Sequence, residues 1–395
     1  MQIGLLGKAN VGKSTFFSAS TETPVPSGNF PFTTIEPNIG VAYVKSDCAC
    51  KHFGIDHKND LCSNGTRFIP VKLIDVAGLV PGAHEGKGLG NQFLDDARQA
   101  EVLIHVVDIA GTTDIQGQPV PVGTHDPLED IEFVQDEFDQ WFVDILKRDW
   151  DKLTREFDQK RAKLTDGIAK RFTGLGVKDY QVQEILQKLQ LSSKNPKEWT
   201  DNDIETFVKE LRKNTKPIII AANKADLCKD LEIIKKIPET VIPCSAETEL
   251  LLRKASKAGI VNYKPGDEQF SIVEGKEILP PQQKALDVVK TVFSKIHSTG
   301  VQRILNTAVF DSLNFIVVYP VEDESKLTNK DGDVLPDAKL LPFGSTAKDL
   351  AGLIHADIQK GFLHAIDCKT KQRIGGDHKL KNGDVIKIVS TLSRG

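Results

Sequence analysis

Five short apolar runs set the rhythm of this chain: Ile3 to Leu6, Phe68 to Ile74, Val102 to Val107, Pro217 to Ala222 and Val241 to Pro243. Runs this short and this continuous predict strands buried on both faces, and helix-like segments alternate with them as a doubly wound parallel sheet requires. More than a hundred residues separate the third run from the fourth. That is too many for one crossover, so a subdomain is expected there. From Asp126 onward the spacing turns helical, with Ile131, Val134, Phe138, Trp141, Phe142 and Ile145 at three- and four-residue steps. Further helices are expected at Asp179 to Gln190, Asp201 to Lys213, Ala246 to about Ala258, and Pro281 to His297. Thr299 to Phe310 then leads into a C-terminal module with strand signals at Asn314 to Tyr319 and Asp384 to Val389. Its helix is expected from Thr346 to Lys360, capped by Gly344-Ser345-Thr346, with Leu350, Leu353, Ile354 and Ile358 on one apolar face.

The ends of these strands carry the chemistry. After the first comes Gly7-Lys8-Ala9-Asn10-Val11-Gly12-Lys13-Ser14, which fits the phosphate-cradling loop G-x-x-x-x-G-K-[ST]. Glycines let backbone N–H groups converge on phosphate oxygens, and the helix that follows adds its positive end. Gly7, Asn10, Val11, Gly12, Lys13, Ser14 and Thr15 are thus expected around the phosphates, with Lys13 on the β- and γ-phosphates and the Ser14 hydroxyl on Mg²⁺. The second run ends in Asp75-Val76-Ala77-Gly78, where Asp75 would hold Mg²⁺ through water and the Gly78 N–H would meet the γ-phosphate. The fourth ends in Asn223-Lys224-Ala225-Asp226. A carboxylate at Asp226 accepts from guanine N1–H and its exocyclic amine, a pair that adenine does not offer. After the fifth run, Cys244-Ser245-Ala246 offers a backbone N–H to guanine O6, placing Ser245 and Ala246 at the base. Asp108, ending the third run, reads as a loop cap.

Between the phosphate loop and Asp75 lies Phe30-Pro31-Phe32-Thr33-Thr34-Ile35-Glu36-Pro37-Asn38. A threonine there binds Mg²⁺ and the γ-phosphate only while GTP is present, the physical basis of a switch, and Thr34 is preferred to Thr33. Gly78 to Gly90 reads as a second switch, because glycines ease large backbone changes. His84 within it is a lone loop histidine, of the kind that is ordinarily solvated.

With Asn10 in the phosphate loop, the Phe-Thr-Thr-Ile-Glu-Pro-Asn switch, Asp-Val-Ala-Gly-Leu-Val-Pro-Gly-Ala and Gly86-Lys87-Gly88-Leu89-Gly90, the chain resembles the Obg superfamily of translation-factor-class GTPases. The branch is that of the YchF and DRG proteins, and the tail is similar to a TGS domain, a ubiquitin-like β-grasp fold. The resemblance implies an α/β fold in which a P-loop GTPase domain (residues 1–125 and 214–310) carries an inserted helical subdomain (126–213) and a TGS-like domain (311–395). YchF-type proteins depart from the guanine-selecting motif and accept ATP. This chain keeps Asn223, Lys224 and Asp226, so GTP is expected. Ras-like GTPases follow D-x-x-G with a water-orienting glutamine, whereas Leu79 stands here and cannot polarise water. Members of the resembled superfamily share that replacement, and several use a monovalent cation held partly by the phosphate-loop asparagine, which implies K⁺ at Asn10. Read alone, Asn10 equally shapes the loop through its own backbone hydrogen bonds, and both readings stand.

Composition narrows the class without choosing within it. At 395 residues, 39% hydrophobic and 27% charged, the chain is long enough for two or three ordinary globular domains. No stretch reaches the roughly 18 apolar residues of a membrane span, and the first residues lack a signal-peptide layout, so a cytoplasmic monomer is expected. A formal net charge of −4 excludes a basic nucleic-acid coat but permits local basic faces. Two stand out: Lys147 to Arg171, with nine Lys/Arg against five Asp/Glu, and Phe343 to Gly395, again nine against five. For the first, a solvated helix face and a ribosomal or RNA contact both stand; for the second, the resemblance implies docking on RNA or ribosomes. Six cysteines make no disulfide scaffold. Cys48, Cys50 and Cys62 cluster with His52 and His57, and three readings stay open: free reduced thiols, a redox-labile pair, or Zn²⁺, although the spacing is not that of a zinc ribbon.

The expected function is a slow GTPase switch needing Mg²⁺ and, on one of the two readings of Asn10, K⁺, with Lys13, Thr34 and Gly78 at the reaction centre, acting on ribosomes or translation-linked RNA. Its rivals are a nucleotide-gated ribosome- or RNA-binding module with negligible hydrolysis, and a YchF-like ATPase.

Overall fold

The computed structural model describes residues 1–22, 39–57, 59–76, 96–159, 161–228 and 230–391. Its central sheet comprises β1 (Gln2–Leu6), β2 (Ile39–Asp47), β3 (Cys62–Ser63), β4 (Thr66–Asp75), β5 (Val102–Asp108), β6 (Ile218–Asn223) and β7 (Val241–Pro243), in the order β2-β4-β1-β5-β6-β7 with β3 beside β4. Strands β4, β1, β5, β6 and β7 run parallel, and β2 pairs antiparallel with β4 from Ile39↔Ile74 to Asp47↔Thr66. All seven residues of β5 are buried. Burial on both faces is why these strands appear in the sequence as unbroken apolar runs.

Alternate residues of the sheet feed two cores. On one face Ile3, Leu5, Leu73 and Ile104 meet Phe16 of helix Lys13–Thr21 and Ile304 and Leu305 of helix Val301–Asn306. On the other, Leu6, Ile74 and Leu103 meet Val134, Phe138 and Phe142 of helix Pro127–Lys147 and Phe207 and Leu211 of helix Asp201–Thr215. Between those two helices lie Trp150–Asp158, Leu164–Arg171 and Asp179–Lys188, whose apolar residues extend the same core. Trp199 packs its ring 5.4 Å from Trp150 and 5.5 Å from Phe207, and Arg212 donates from Nε to Asp139 at 2.6 Å in the buried interior. The helices after Asp126 therefore share one continuous core with the sheet.

Past helix Ala246–Lys257, a two-stranded ribbon of β8 (Val261–Asn262) and β9 (Ser271–Ile272) precedes helix Pro280–Ile296. Helix Val301–Asn306 continues as a π-helical turn, Thr307–Ser312, into the C-terminal module. There β10 (Phe315–Val321), β11 (Lys339–Pro342), β12 (Phe362–Asp367), β13 (Gln372–Ile374) and β14 (Asp384–Ser390) form a mixed sheet in the order β11-β10-β14-β12-β13. Its strands obey period two: Ile316, Val318 and Ile386 face the module's own helix, while Val317, Tyr319, Val321 and Val385 enter the core of the central sheet.

One sequence expectation needs correction. The helix expected from Thr346 to Lys360 is two helices, Ala347–Ile354 and Ala356–Lys360. His355 is extended (φ −163°) and its Nδ1 accepts from the Asp357 N–H, so it caps the second helix instead of continuing the first. Thr346 and Asp349 form a capping box at the start of the first. The expected apolar face is not one face: on the first helix Leu350 is buried whereas Leu353 and Ile354 are exposed, and the break puts Ile358 on a separate helix.

Candidate functional site

Parallel strands deliver their C-terminal ends to one edge, where open α/β sheets bind ligands. Leu6, Asp75, Asn223 and Pro243 all end strands there. The loop after β1 turns through glycines for which other residues are too large: a Cβ on Gly7 would lie 2.6 Å from the Val106 carbonyl oxygen. Gly12 has φ 93°, and a Cβ there would lie 2.4 Å from Asn223 Nδ2. Gly12 begins helix Lys13–Thr21 with no side-chain cap and no acidic residue in the first turn, so the helix's positive end is left to another anion. Ser14 is exposed at that end, Thr15 half-buried and Val11 buried.

Lys13 lies at the mouth, where its ammonium pairs with the Asp75 carboxylate and donates to the Val76 carbonyl at 2.8 Å. Asn10 has a left-handed backbone (φ 62°), and its Nδ2 donates to the Gly117 carbonyl at 2.9 Å. That bond fastens the phosphate loop to the loop after β5.

The base side is knit together by Asn223. Its Nδ2 donates to the Val11 carbonyl at 2.9 Å, and its Oδ1 accepts from the Ala246 N–H at 3.0 Å. One buried side chain thereby holds the phosphate loop, the end of β6 and the loop after β7 in one arrangement. Lys224 (φ 60°) stretches across the loops, its Nζ donating to the Asn10 carbonyl at 2.9 Å and to Asp108 Oδ2 at 2.9 Å. Asp226 is half-buried, and its carboxylate accepts no hydrogen bond from a described residue. Ser245 caps helix Ala246–Lys257 through its hydroxyl, and its N–H donates to the Thr299 carbonyl at 2.9 Å. Of the backbone N–H groups expected near guanine O6, that of Ala246 is engaged with Asn223 and that of Ser245 with Thr299.

Sequence reasoning treated Asp108 as a loop cap, and it is one: it accepts from the N–H groups of Ala110 and Thr112 and from the hydroxyls of Thr112 and Thr113. Its pairing with Lys224 went unread. So did Lys8, which donates to Asp130 at 2.8 Å and to the Thr113 carbonyl at 3.0 Å, with His125 Nε2 2.8 Å from the same carboxylate. This ties the phosphate loop to helix Pro127–Lys147. Nearby His105 is fully buried on β5, and desolvation, with the Lys8 charge second, pushes its pKa down to about 3. No linear pattern announces these partners, because each lies more than a hundred residues from Lys8 in sequence.

Thr34 and Gly78, like Thr33, Leu79 and His84, lie outside the described residues. Of the expected cysteine cluster, Cys48, Cys50 and Cys62 do converge, with His57 and not His52. Some charge in the basic segment 147–171 is spent internally: Lys147 pairs with Asp201, and Arg171 donates to the Arg148 and Asp149 carbonyls. Among the described residues no helix is long and apolar enough to cross a membrane.

Three family descriptions match along the chain: a 50S ribosome-binding GTPase at residues 2–138, an Obg-like GTPase YGR210-like, G4 motif-containing domain at 221–323, and a TGS domain at 327–390. An uncharacterized GTP-binding protein of Methanocaldococcus jannaschii is 47% identical over 395 residues, covering 98% of each chain. The crystal structure of a GTP binding protein from Pyrococcus horikoshii OT3 is 41% identical and aligns with a TM-score of 0.75 over 99% of this chain and 100% of that one. The ribosome-binding ATPase YchF of Bacillus subtilis is 28% identical, covering 92% of this chain and 87% of that protein.

Proposed function

The chain belongs to the Obg-like/YchF family of GTPases, and from that premise we propose that it binds GTP, hydrolyses it slowly to GDP and phosphate, and reports the exchange to a ribosome or a translation-linked RNA in the cytoplasm. The observation that carries this reading is the pair of hydrogen bonds that Asn223 makes with Val11 and Ala246. It holds the guanine-reading loops against the phosphate loop and leaves the Asp226 carboxylate free to accept from a guanine edge.

In this reading Gly7, Asn10, Val11, Gly12, Lys13, Ser14 and Thr15 surround the phosphates, while Asn223, Lys224, Asp226, Ser245 and Ala246 surround the base. The exposed Ser14 hydroxyl and the Asp75 carboxylate, both at the mouth, suit Mg²⁺, and Thr34 would join them. When bound, that ion neutralises charge developing on the phosphate oxygens. Lys13 exchanges its bond to Asp75 for phosphate, freeing the carboxylate as it does so. For Ala246 to reach guanine O6, its N–H must share with or leave Asn223 Oδ1. Residues 126–213 and the TGS-like 311–395 are read as the parts that meet the partner.

Without a glutamine after Gly78, turnover depends on charge supplied from elsewhere. The bond from Asn10 Nδ2 to Gly117 leaves Asn10 Oδ1 as the atom that would face K⁺. That same bond favours a second reading, in which Asn10 only shapes the loop and the protein is a nucleotide-gated binding module with incidental hydrolysis. GTP turnover measured in K⁺ and in Na⁺, each with and without ribosomes, separates them. The switch reading expects faster turnover in K⁺ and stimulation by ribosomes. Tight GTP binding with equal, unstimulated rates would leave the module.

A further inference from the structure

Four side chains that the nucleotide chemistry does not use meet at the opposite end of β4 from Asp75. Nine residue steps at about 3.3 Å put them about 30 Å away. The chain leaves β2 at Asp47, forms the short helix Cys50–Phe53, turns at Gly54 (φ 61°), and returns through β3 to pair Cys62 with Arg67 of β4. Backbone bonds fix the geometry: Cys48 N–H donates to the Gly65 carbonyl at 2.9 Å, and Cys62 N–H to the Asn59 carbonyl at 2.8 Å.

The sulfurs of Cys48, Cys50 and Cys62 and one ring nitrogen of His57 all lie within 4.8 Å of one another. Cys48 Sγ is 3.6 Å from His57 Nε2, and Cys50 Sγ is 4.0 Å from Cys62 Sγ. A tetrahedral zinc with Zn–S near 2.3 Å and Zn–N near 2.0 Å separates its ligands by about 3.8 Å for two sulfurs and about 3.5 Å for sulfur and nitrogen. The observed spacings are close to both. A disulfide would need about 2.05 Å.

The histidine is already oriented. Its Nδ1 lies 3.1 Å from the Val334 carbonyl oxygen, which can only accept, so Nδ1 carries a proton and the neutral ring has its Nε2 lone pair on the side of the sulfurs. His52, by contrast, is exposed and set edge-on against Phe53. We propose that Cys48, Cys50, His57 and Cys62 bind one Zn²⁺ in a closed, structural, four-coordinate site, and that this site fastens the C-terminal module to the nucleotide-binding body.

The fastening role follows from what surrounds the ligands. Beside the His57 bond to Val334, Asn59 Nδ2 donates to the Leu335 and Pro336 carbonyls at 3.3 and 3.2 Å, and Arg67 Nη2 donates to the same pair at 2.8 and 2.9 Å. Tyr319 of β10 donates its hydroxyl to the Asp47 carbonyl at 3.0 Å. Ordering the 48–62 loop therefore orders the surface on which residues 334–336 rest.

The site does not depend on the nucleotide reading and is tested separately. Elemental analysis of the full chain, made without a histidine tag, is expected to find about one equivalent of zinc, falling below about a tenth in Cys62→Ser and His57→Ala and staying near one in His52→Ala. Should those variants fold poorly, Co²⁺ added to the apo wild type must give a thiolate-to-cobalt charge-transfer band and tetrahedral ligand-field bands. Less than about a tenth of an equivalent of zinc with no such spectrum, iron in place of zinc, or a Cys50–Cys62 disulfide found by mass mapping overturns the site. Removing zinc with a chelator selective for Zn²⁺, in excess Mg²⁺, is expected to speed proteolysis at 334–336, with GTP affinity unchanged. Unchanged cleavage overturns the fastening role.

Discussion

The two ends of β4 carry two different chemistries, and they were written into the chain in different ways. At Asp75 the groups are polar, belong to loops at strand ends, and lie within short contiguous motifs: Gly7 to Ser14, Asp75 to Gly78, Asn223 to Asp226. At Thr66 the groups are soft sulfur and nitrogen donors scattered over residues 48 to 62, and their partners on the other side are backbone carbonyls near residue 335. A site that must bring backbone amides to phosphates needs neighbouring residues, because one tight turn does the work. A site that needs only four ligand atoms takes them from wherever a helix, a turn and a strand bring them together.

Variants at either end should leave the other untouched, which gives ways to break the comparison. Lys13→Ala removes the ammonium proposed to meet the phosphates, so GTP hydrolysis is expected to fall about 100-fold or more with zinc content unchanged. Normal turnover in that variant would sink the site assignment. Arg67 is 1% exposed, and Arg67→Ala at the far end removes the shorter of the two sets of hydrogen bonds to the Leu335 and Pro336 carbonyls, leaving only Asn59, and opens a cavity. The expected cost is about 3 kcal/mol of unfolding free energy in urea titration, with GTP affinity retained. Asn223→Ala at the near end strands the Val11 carbonyl and the Ala246 N–H, for about 2 kcal/mol, and here GTP affinity should fall as well. If stability dropped but affinity did not, Asn223 would be a core tie unrelated to the base.

The last prediction concerns pH. His105 titrates near 3 in the folded protein, against about 6.5 when unfolded, so between those values the unfolded chain binds more protons. Its contribution to stability is complete above pH 6.5 and is lost as pH falls toward 3. His105→Leu should flatten that acid limb, and an unaltered limb would show that other groups dominate it.

The same contrast explains what the sequence made legible. Apolar runs revealed the parallel strands because both their faces are covered, and the motifs at their ends include Lys13, Asp75 and Asn223, which the fold brings to one edge. The Lys8–Asp130 and Lys224–Asp108 pairs stayed hidden, since ion pairs between segments more than a hundred residues apart leave no periodic mark. At the far end the cysteines were visible as composition, but choosing His57 over His52 required knowing which imidazole meets the Val334 carbonyl. In the C-terminal module the apolar spacing of Leu350, Leu353, Ile354 and Ile358 suggested one helix. A cap at His355 overrode it, because an extended residue with a side-chain acceptor ends one helix and starts the next.

The central claim is that the Asn223 to Asp226 corner reads guanine, and competition between Mg-GTP and Mg-ATP for the wild type and Asp226→Asn tests it most directly. Two hydrogen bonds to a carboxylate predict a wild-type preference for GTP of about 100-fold or more, largely lost in the variant. Equal affinities, a preference for ATP, or a preference that survives Asp226→Asn would contradict it.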